Sequence, residues 1–212
     1  CADALVAAGV ARVVGAASDP DPRVSGKGYA VLRAAGIEVV EGVLAAEAGD
    51  LLAGYLTRSL RKRPEVTLKL AVSADGMIGR AGEGQVAITG AVARAQVHAM
   101  RAEADAILVG IGTALADDPD LTCRLPGMAQ RSPARIVLDR TARLPLAGKL
   151  ARTAREVPLM VACRQDADAR KRRALEQAGA SLLAVEEFDD RIALPELLED
   201  LAARGVATLM VE

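Results

Sequence analysis

Between positions 67 and 124 the chain places Lys69, Arg101, Arg124 and a pair of adjacent carboxylates, a set suited to holding a phosphorylated small molecule. Lys69 stands in a run where apolar residues alternate with Thr67, Lys69, Ala71 and Ser73. A lysine there costs desolvation unless it meets a partner or ligand, or unless its stem carries the ammonium out to water. Small neighbours leave room beside it for a ligand. Asp117 and Asp118 follow an apolar segment and precede Pro119. Adjacent carboxylates can serve as general acid and ligand anchor, while Asp-Asp-Pro is also ordinary turn chemistry. Arg101 ends a predicted helix and Arg124 lies beyond Pro119. Two guanidinium forks near one pocket suit a phosphate, although single arginines at such places are commonly surface residues. The same two readings apply to Arg140, just after a predicted strand. Gly110-Ile-Gly-Thr113 would let backbone amides approach a phosphate, but Leu115 breaks the dinucleotide fingerprint G-x-G-x-x-G.

These residues need elements to place them. Val66, Leu68, Leu70 and Val72 share one face of a predicted strand, and Asp75-Gly76 marks a turn after it. A glycine-rich loop is expected over 79–85 and a helix over 91–103, with Thr89 or Gly90 as its N-cap. A fully apolar strand is expected over 106–111 and one helical turn over 114–117. Further strands are expected at 135–139, 157–163, 181–185 and 208–212, with helices at 166–178 and 194–204. Upstream, the pattern predicts a helix end over 2–8, strands at 12–17 and 37–43, a helix at 28–35 and a long amphipathic helix over 45–62. Arg61-Lys62-Arg63-Pro64 then suits a domain junction, or simply a solvated helix end favoured by the dipole. Strands alternating with helices imply an α/β fold with a mainly parallel sheet covered on both faces.

Composition narrows the function. The 212 residues are 51% hydrophobic and 26% charged, with formal net charge −1, so no overall basic field draws the chain to nucleic acid. Two Tyr, one Phe and no Trp leave little for base stacking. No apolar run approaches the roughly 18 residues that span a bilayer, and no signal peptide is evident, so the cytoplasm is the default expectation. Cys1, Cys123 and Cys163 form no disulfide or CxxC pattern, and Cys123 and Cys163 read most simply as small apolar residues. His98 is the only histidine, which makes a Ser–His or His-rich metal site improbable. A surface or half-buried structural role on the 91–103 helix is expected for it.

Two stretches carry a resemblance. Val-Thr-Leu-Lys-Leu-Ala-Val-Ser-Ala-Asp-Gly at 66–76, and Thr113-x-x-x-Asp-Asp-Pro-x-Leu-Thr-x-Arg124 after the apolar strand, resemble the reductase domain of the bifunctional riboflavin-biosynthesis deaminase–reductase. The similarity continues through Arg135-Ile-Val-Leu-Asp139 to Glu212. It extends upstream to Cys1-Ala-Asp-Ala-Leu-Val-Ala-Ala-Gly9 and Asp19-Pro-Asp-Pro22, which look like the tail of the same family's cytidine-deaminase-like zinc domain.

The resemblance implies a dihydrofolate-reductase-like fold, NADPH as cofactor, and reduction of the ribosyl group of 5-amino-6-(5-phosphoribosylamino)uracil. It implies Lys69 and Asp117 as catalytic residues. Ala71, Ala87, Thr113, Asp117 and Arg140 would contact the cofactor, and Arg101, Leu121, Arg124 and Glu212 the substrate. The family often has an aromatic near 85–88, where this chain has Val86 and Ala87. Cys1 would be the last zinc ligand of a deaminase site whose other ligands lie outside this sequence, so the chain alone is not expected to deaminate. The expected division is residues 1–63 as the C-terminal part of a deaminase domain and 64–212 as a reductase domain lacking its C-terminal glycine-rich segment. The start at Cys1 and the apolar final strand support an internal fragment. A small-molecule substrate and homo-oligomers are the expected partners, without nucleic acid or membrane. A related pterin or pyrimidine reductase, or an inactive truncated assembly domain, are the alternatives.

Overall fold

The computed structural model describes residues 1–80, 86–189 and 191–212. Packing divides the chain into two compact units, Cys1–Arg63 and Pro64–Glu212. In the first unit, helix α1 (Ala2–Ala7) leads to strand β1 (Arg12–Gly15), helix α2 (Lys27–Ala34), strand β2 (Glu38–Glu41), and helices α3 (Ala45–Leu51) and α4 (Ala53–Arg61). β1 and β2 pair in parallel, with Arg12 opposite Glu38. Their side chains reinforce that register through an ion pair of 2.7 Å. Gly15 is required by packing, because a Cβ there would fall 1.9 Å from the Tyr29 hydroxyl.

The single helix expected over 45–62 is interrupted. Leu52 leaves helical geometry at φ −100° and ψ 10°, close behind Gly49, a poor helix former. Hydrogen bonds from Leu52 N to Ala48 O and from Leu56 N to Leu52 O still bridge the break. Leu51 and Leu60 of the expected apolar stripe are exposed.

The second unit holds strand β3 (Glu65–Leu68), helix α5 (Ala91–Glu103), strand β4 (Ala106–Gly110), helix α6 (Ile111–Asp117), strand β5 (Ala134–Leu138), helix α7 (Lys149–Arg152), strand β6 (Leu159–Cys163), helix α8 (Ala169–Ala178), strand β7 (Ser181–Ala184), the short strands β8 (Glu187–Phe188) and β9 (Arg191–Ile192), helix α9 (Leu194–Ala203) and strand β10 (Thr208–Val211). Six strands form one sheet in the order β3-β10-β4-β5-β6-β7. Every neighbouring pair in it is parallel. β8 and β9 form a separate antiparallel pair.

Alternate residues of the central strands enter two cores, as the two-residue strand period dictates. Ile107, Val109, Val137, Val161 and Met210 lie in one, with Leu175 of α8. Ala106, Leu108, Ile136, Ala162 and Leu209 lie in the other, with Leu197 and Leu201 of α9. Burial on both faces explains why these strands read as continuous apolar runs. Among the described residues no helix is long and apolar enough to cross a membrane.

β3 is shorter than the alternation to Val72 implies. It is an edge strand whose ladder closes with Lys69 N–H donating to Val211 O at 2.9 Å. Val66, Leu68, Leu70 and Val72 are all exposed. Lys69 therefore follows the strand instead of standing within it. The turn at 75–76 is present, with Gly76 at φ 83° and its N–H donating to Ser73 O. Of the glycine-rich loop expected over 79–85, residues 81–85 fall outside the described residues.

One polar group is fully enclosed by this packing. Arg135 has no exposed surface, yet its guanidinium donates to Thr153 Oγ1 at 2.7 Å, Thr153 O at 3.0 Å and Val157 O at 2.5 Å. It ties β5 to the segment between α7 and β6, and burial pushes its pKa down, against the pull of Asp120 and Glu156. Arg135→Ala leaves Val157 O without its donor and opens a cavity, so it is expected to cost about 3 kcal/mol in urea unfolding followed by circular dichroism. A loss below about 1 kcal/mol would show that the cluster is replaceable.

Candidate functional site

β10 lies between β3 and β4, and its last residues bring three distant parts of the sequence together. Glu212 follows β10, and its backbone N–H donates to Leu108 O at 3.1 Å. Its carboxylate accepts a hydrogen bond from Arg101 Nη2 at 2.6 Å. Glu212 Oε1 lies 3.8 Å from Lys69 Nζ. The side chains of Arg101 and Glu212 are only 11% and 12% exposed, so the pair is little screened by water. Glu212 Oε1 is buried and accepts no hydrogen bond. It is the natural place for a ligand hydroxyl or amine to donate.

Beside this triad lies a cavity of about 310 Å³, lined among others by Lys69, Ala71, Ala87, Arg94, His98 and Arg124. Arg101 and Val97 complete its α5 wall. Positions 94, 97, 98 and 101 fall on one face of a helix by the three- and four-residue spacing. The cavity thus carries four cationic side chains, Lys69, Arg94, Arg101 and Arg124, near the carboxylate of Glu212 and with Asp120 beside Arg124. That surplus suits a dianion such as a phosphomonoester.

The loop after α6 is held by alternate residues. Leu121, at φ 58°, and Cys123 are buried. Thr122 O accepts from Arg101 Nη1 at 3.2 Å, and Cys123 N–H donates to Ser132 Oγ at 3.1 Å. Arg124 N–H donates to His98 Nδ1 at 3.3 Å. Arg124 then extends to the cavity, with Nη1 3.6 Å from Asp120. Burial, then the positive charges of Arg124 and Arg101, push the His98 pKa down, while the Thr122 carbonyl and Glu212 pull it up.

Of the residues singled out in the sequence, the cavity and triad unite Lys69, Ala71, Ala87, Arg101, Arg124 and Glu212. Thr113 and Asp117, half-buried on α6, are not among the cavity-lining residues, nor is Arg140. Arg140 lies past the end of β5, with Nε 3.3 Å from Glu187. Leu121 contributes its side chain to the core, so any substrate contact there must come from its backbone. Asp118 is a turn residue: in left-handed geometry at φ 38°, it accepts from Lys149 N–H at 2.7 Å at the start of α7. Cys1 belongs to the first unit and is exposed. Among the described residues no group of three His, Cys, Asp or Glu side chains is placed to hold a metal ion, so these residues do not by themselves complete a zinc site.

Sequence reading assigned Arg94 no role and His98 only a structural one, although both line the cavity. Arg94 and His98 are legible only once the helix is drawn as a wheel and its cavity face is known to include Arg101.

Comparison with known proteins follows the same division. The family described as RibD C-terminal domain matches residues 64–212. The riboflavin biosynthesis protein RibD of Actinobacillus pleuropneumoniae is 38% identical over 212 residues, covering all of this chain and 56% of the relative. That of Aquifex aeolicus is 37% identical over 212 residues, covering 57% of its length. Among solved structures, Acinetobacter baumannii RibD superposes with TM-score 0.84 at 35% identity, covering all of this chain and 57% of that one. A diaminohydroxyphosphoribosylaminopyrimidine deaminase/5-amino-6-(5-phosphoribosylamino)uracil reductase from Thermotoga maritima gives TM-score 0.85 at 33% identity, covering all of this chain and 56% of that one. The chain thus spans a little over half the length of these relatives. With its α/β architecture, its parallel sheet and the match over the whole second unit, the chain belongs to the RibD C-terminal domain family.

Proposed function

We propose that residues 64–212 form an NADPH-dependent reductase unit of riboflavin biosynthesis, acting on the ribosyl group of 5-amino-6-(5-phosphoribosylamino)uracil. The observation that carries this reading is the cationic cavity beside the Lys69–Glu212–Arg101 triad. It offers paired guanidinium groups for the substrate phosphate, with the Glu212 carboxylate beside it, paired to Arg101 and Lys69. The name printed for the Thermotoga maritima relative supplies the substrate.

The residues present fit a nicotinamide cofactor. A Cβ built on Gly110 or Gly112 would meet nothing within 4 Å, so the end of β4 has open space above it. Ala71 and Ala87 keep the cavity wall low. Ala71, Ala87, Thr113, Asp117 and Arg140 would hold the cofactor, with Arg140 providing a cation for a phosphate. When bound, NADPH supplies the hydride that reduces C1 of the ring-opened sugar. Arg101 and Arg124 would hold the phosphate. Lys69 would donate a hydrogen bond to the sugar and carry the proton taken up as the ring oxygen becomes a hydroxyl. Asp117 would set its carboxylate beside the reacting carbon. The first unit fits the end of a deaminase domain, with Cys1 as a ligand to zinc completed by residues outside this sequence.

Thermal shift of the protein with NADPH, against NADH as control, tests the cofactor directly. At a ligand concentration of 100 times Kd the stabilisation is about 2.7 kcal/mol. A shift specific to NADPH is expected, and no shift with either nucleotide would sink the reading. Asp117→Asn is expected to lower kcat by about 10²-fold while NADPH affinity stays near wild type. Equal losses in both would make Asp117 a cofactor anchor only. Arg124→Ala is expected to raise the substrate KM by about tenfold at nearly constant kcat, the size of one charge-assisted contact.

The triad itself is open to a double-mutant cycle. Glu212→Ala leaves Arg101 buried without its counter-charge and is expected to cost about 3 kcal/mol in urea unfolding. Adding Arg101→Ala should cost clearly less than the sum of the two single changes. Additive losses would show that the pair is not coupled.

A further inference from the structure

His98 is the only histidine in the chain, and sequence alone assigns it nothing beyond a place on a helix. The structure places its ring in the cavity wall. Nδ1 accepts the backbone N–H of Arg124 at 3.3 Å. A nitrogen that accepts carries no proton, so this bond selects the neutral tautomer with its proton on Nε2. The surroundings agree with a neutral ring. Arg101 and Arg94 share its helix face, Arg124 approaches from the loop and Lys69 from the end of β3, while the carboxylates nearby are those of Glu212, paired with Arg101 and Lys69, and Asp120, beside Arg124.

His98 and Arg101 stand one turn apart on α5 and grip the same loop: Arg101 takes Thr122 O and His98 takes Arg124 N–H. Ser132 Oγ takes the N–H of the residue between them. Residues 122–124 therefore have a hydrogen-bond anchor at each position, and only the His98 anchor holds the backbone of the arginine that reaches the cavity. Without it the Arg124 backbone is free to pivot about Cys123. Its long guanidinium would then have to be ordered by the ligand, at a cost in affinity.

We propose that His98 is a positioning residue for phosphate recognition, its unprotonated Nδ1 fixing the Arg124 backbone so that the guanidinium is held ready over the cavity. This rests on the reading of the cavity as a phosphoribosyl site. The role asks for an acceptor at one position and no charge. Asparagine places Oδ1 where Nδ1 stands, whereas leucine fills similar space with no acceptor.

The test is calorimetric titration of the protein with ribose 5-phosphate, with ribose as control, for wild type, Arg124→Ala, His98→Leu and His98→Asn. It is paired with substrate kinetics and the imidazole ¹⁵N spectrum, where the single histidine gives an unambiguous signal. His98→Leu is expected to weaken ribose 5-phosphate by about fivefold, the worth of one neutral hydrogen bond, and to raise KM equally while kcat stays within about twofold. His98→Asn is expected to restore most of the affinity, and the spectrum at pH 7.5 to show the Nε2–H tautomer.

Wild-type affinity in His98→Leu, failure of His98→Asn to restore it, or an Nδ1–H tautomer would each overturn the proposal. If Arg124→Ala leaves ribose 5-phosphate binding unchanged, the phosphate reading of the cavity falls, and the proposal with it. If Arg124→Ala weakens binding and His98→Leu does not, the positioning role alone fails.

Discussion

The second unit is organised around the placement of one strand, and two carboxylates hold that strand at its two ends. At its start, Asp105 Oδ2 accepts from Ala207 N–H at 2.8 Å and Thr208 N–H at 2.9 Å, while Thr208 Oγ1 accepts from Asp105 N–H. At its finish, Glu212 pairs with Arg101 and approaches Lys69. β10 is the last strand in sequence but sits between the first and second strands of the sheet. Hydrophobic burial favours any apolar strand in that slot and does not by itself fix its register. Directional bonds at both ends fix it, and the register then decides which side chain emerges beside Lys69. A slip of one residue would turn Glu212 to the other face and leave two cations facing each other.

The same strand order explains where the site lies. β4 to β7 run outward in sequence along one half of the sheet, and β10 returns to close the gap to β3. Ligands in open parallel sheets bind beyond the carboxyl ends of strands where the order reverses. Lys69, Glu212 and the open glycines at the end of β4 all lie at those ends. The buried polar pair of β5 serves a different end. Arg135 anchors the α7 region, and Asp139, fully buried, accepts from Leu144 N–H at 2.8 Å to shape the turn after the strand. Their occurrence within a family-like segment reflects folding rather than contact with a ligand.

Legibility followed burial. β4, β5 and β6 could be read to within a residue or two because both of their faces are covered and their apolar runs are bounded by turns. β3 was read too long because an alternating pattern promises one buried face, and the structure leaves that face exposed. The two-residue strands β8 and β9 and the four-residue α7 carry too few side chains for any periodicity. At the site, Lys69, Arg101, Arg124 and Glu212 were legible through the resemblance, yet nothing in their spacing reveals that Glu212 joins Lys69 to Arg101 across more than a hundred positions. Asp118 was legible as turn chemistry. Its carboxylate sits so close to Gly148 that a Cβ there would fall 3.0 Å from Oδ1. His98 was read as a surface or half-buried structural residue and it is half-buried, but a lone helical histidine says nothing of the loop that will fold against it.

Helix α5 is what converts these contacts into a preorganised site. Its cavity face carries Arg94, His98 and Arg101, and each is committed to a backbone group before any ligand arrives: Arg94 to Thr89 O at 2.7 Å, His98 to Arg124 N–H and Arg101 to Thr122 O. Charges mounted on a helix and braced by the loops they contact need little reordering on binding, so less of the interaction with an anion is lost to conformational entropy. The arrangement also limits self-repulsion. Arg101 lies in the last turn of α5, where the helix dipole favours a cation, and Glu212 offsets its charge. Arg124, on the loop, has an exposed side chain and pairs only loosely with Asp120. It is therefore the member of the set whose position depends most on its backbone anchor, and the ring of His98 supplies that anchor from the same helix that carries Arg94 and Arg101.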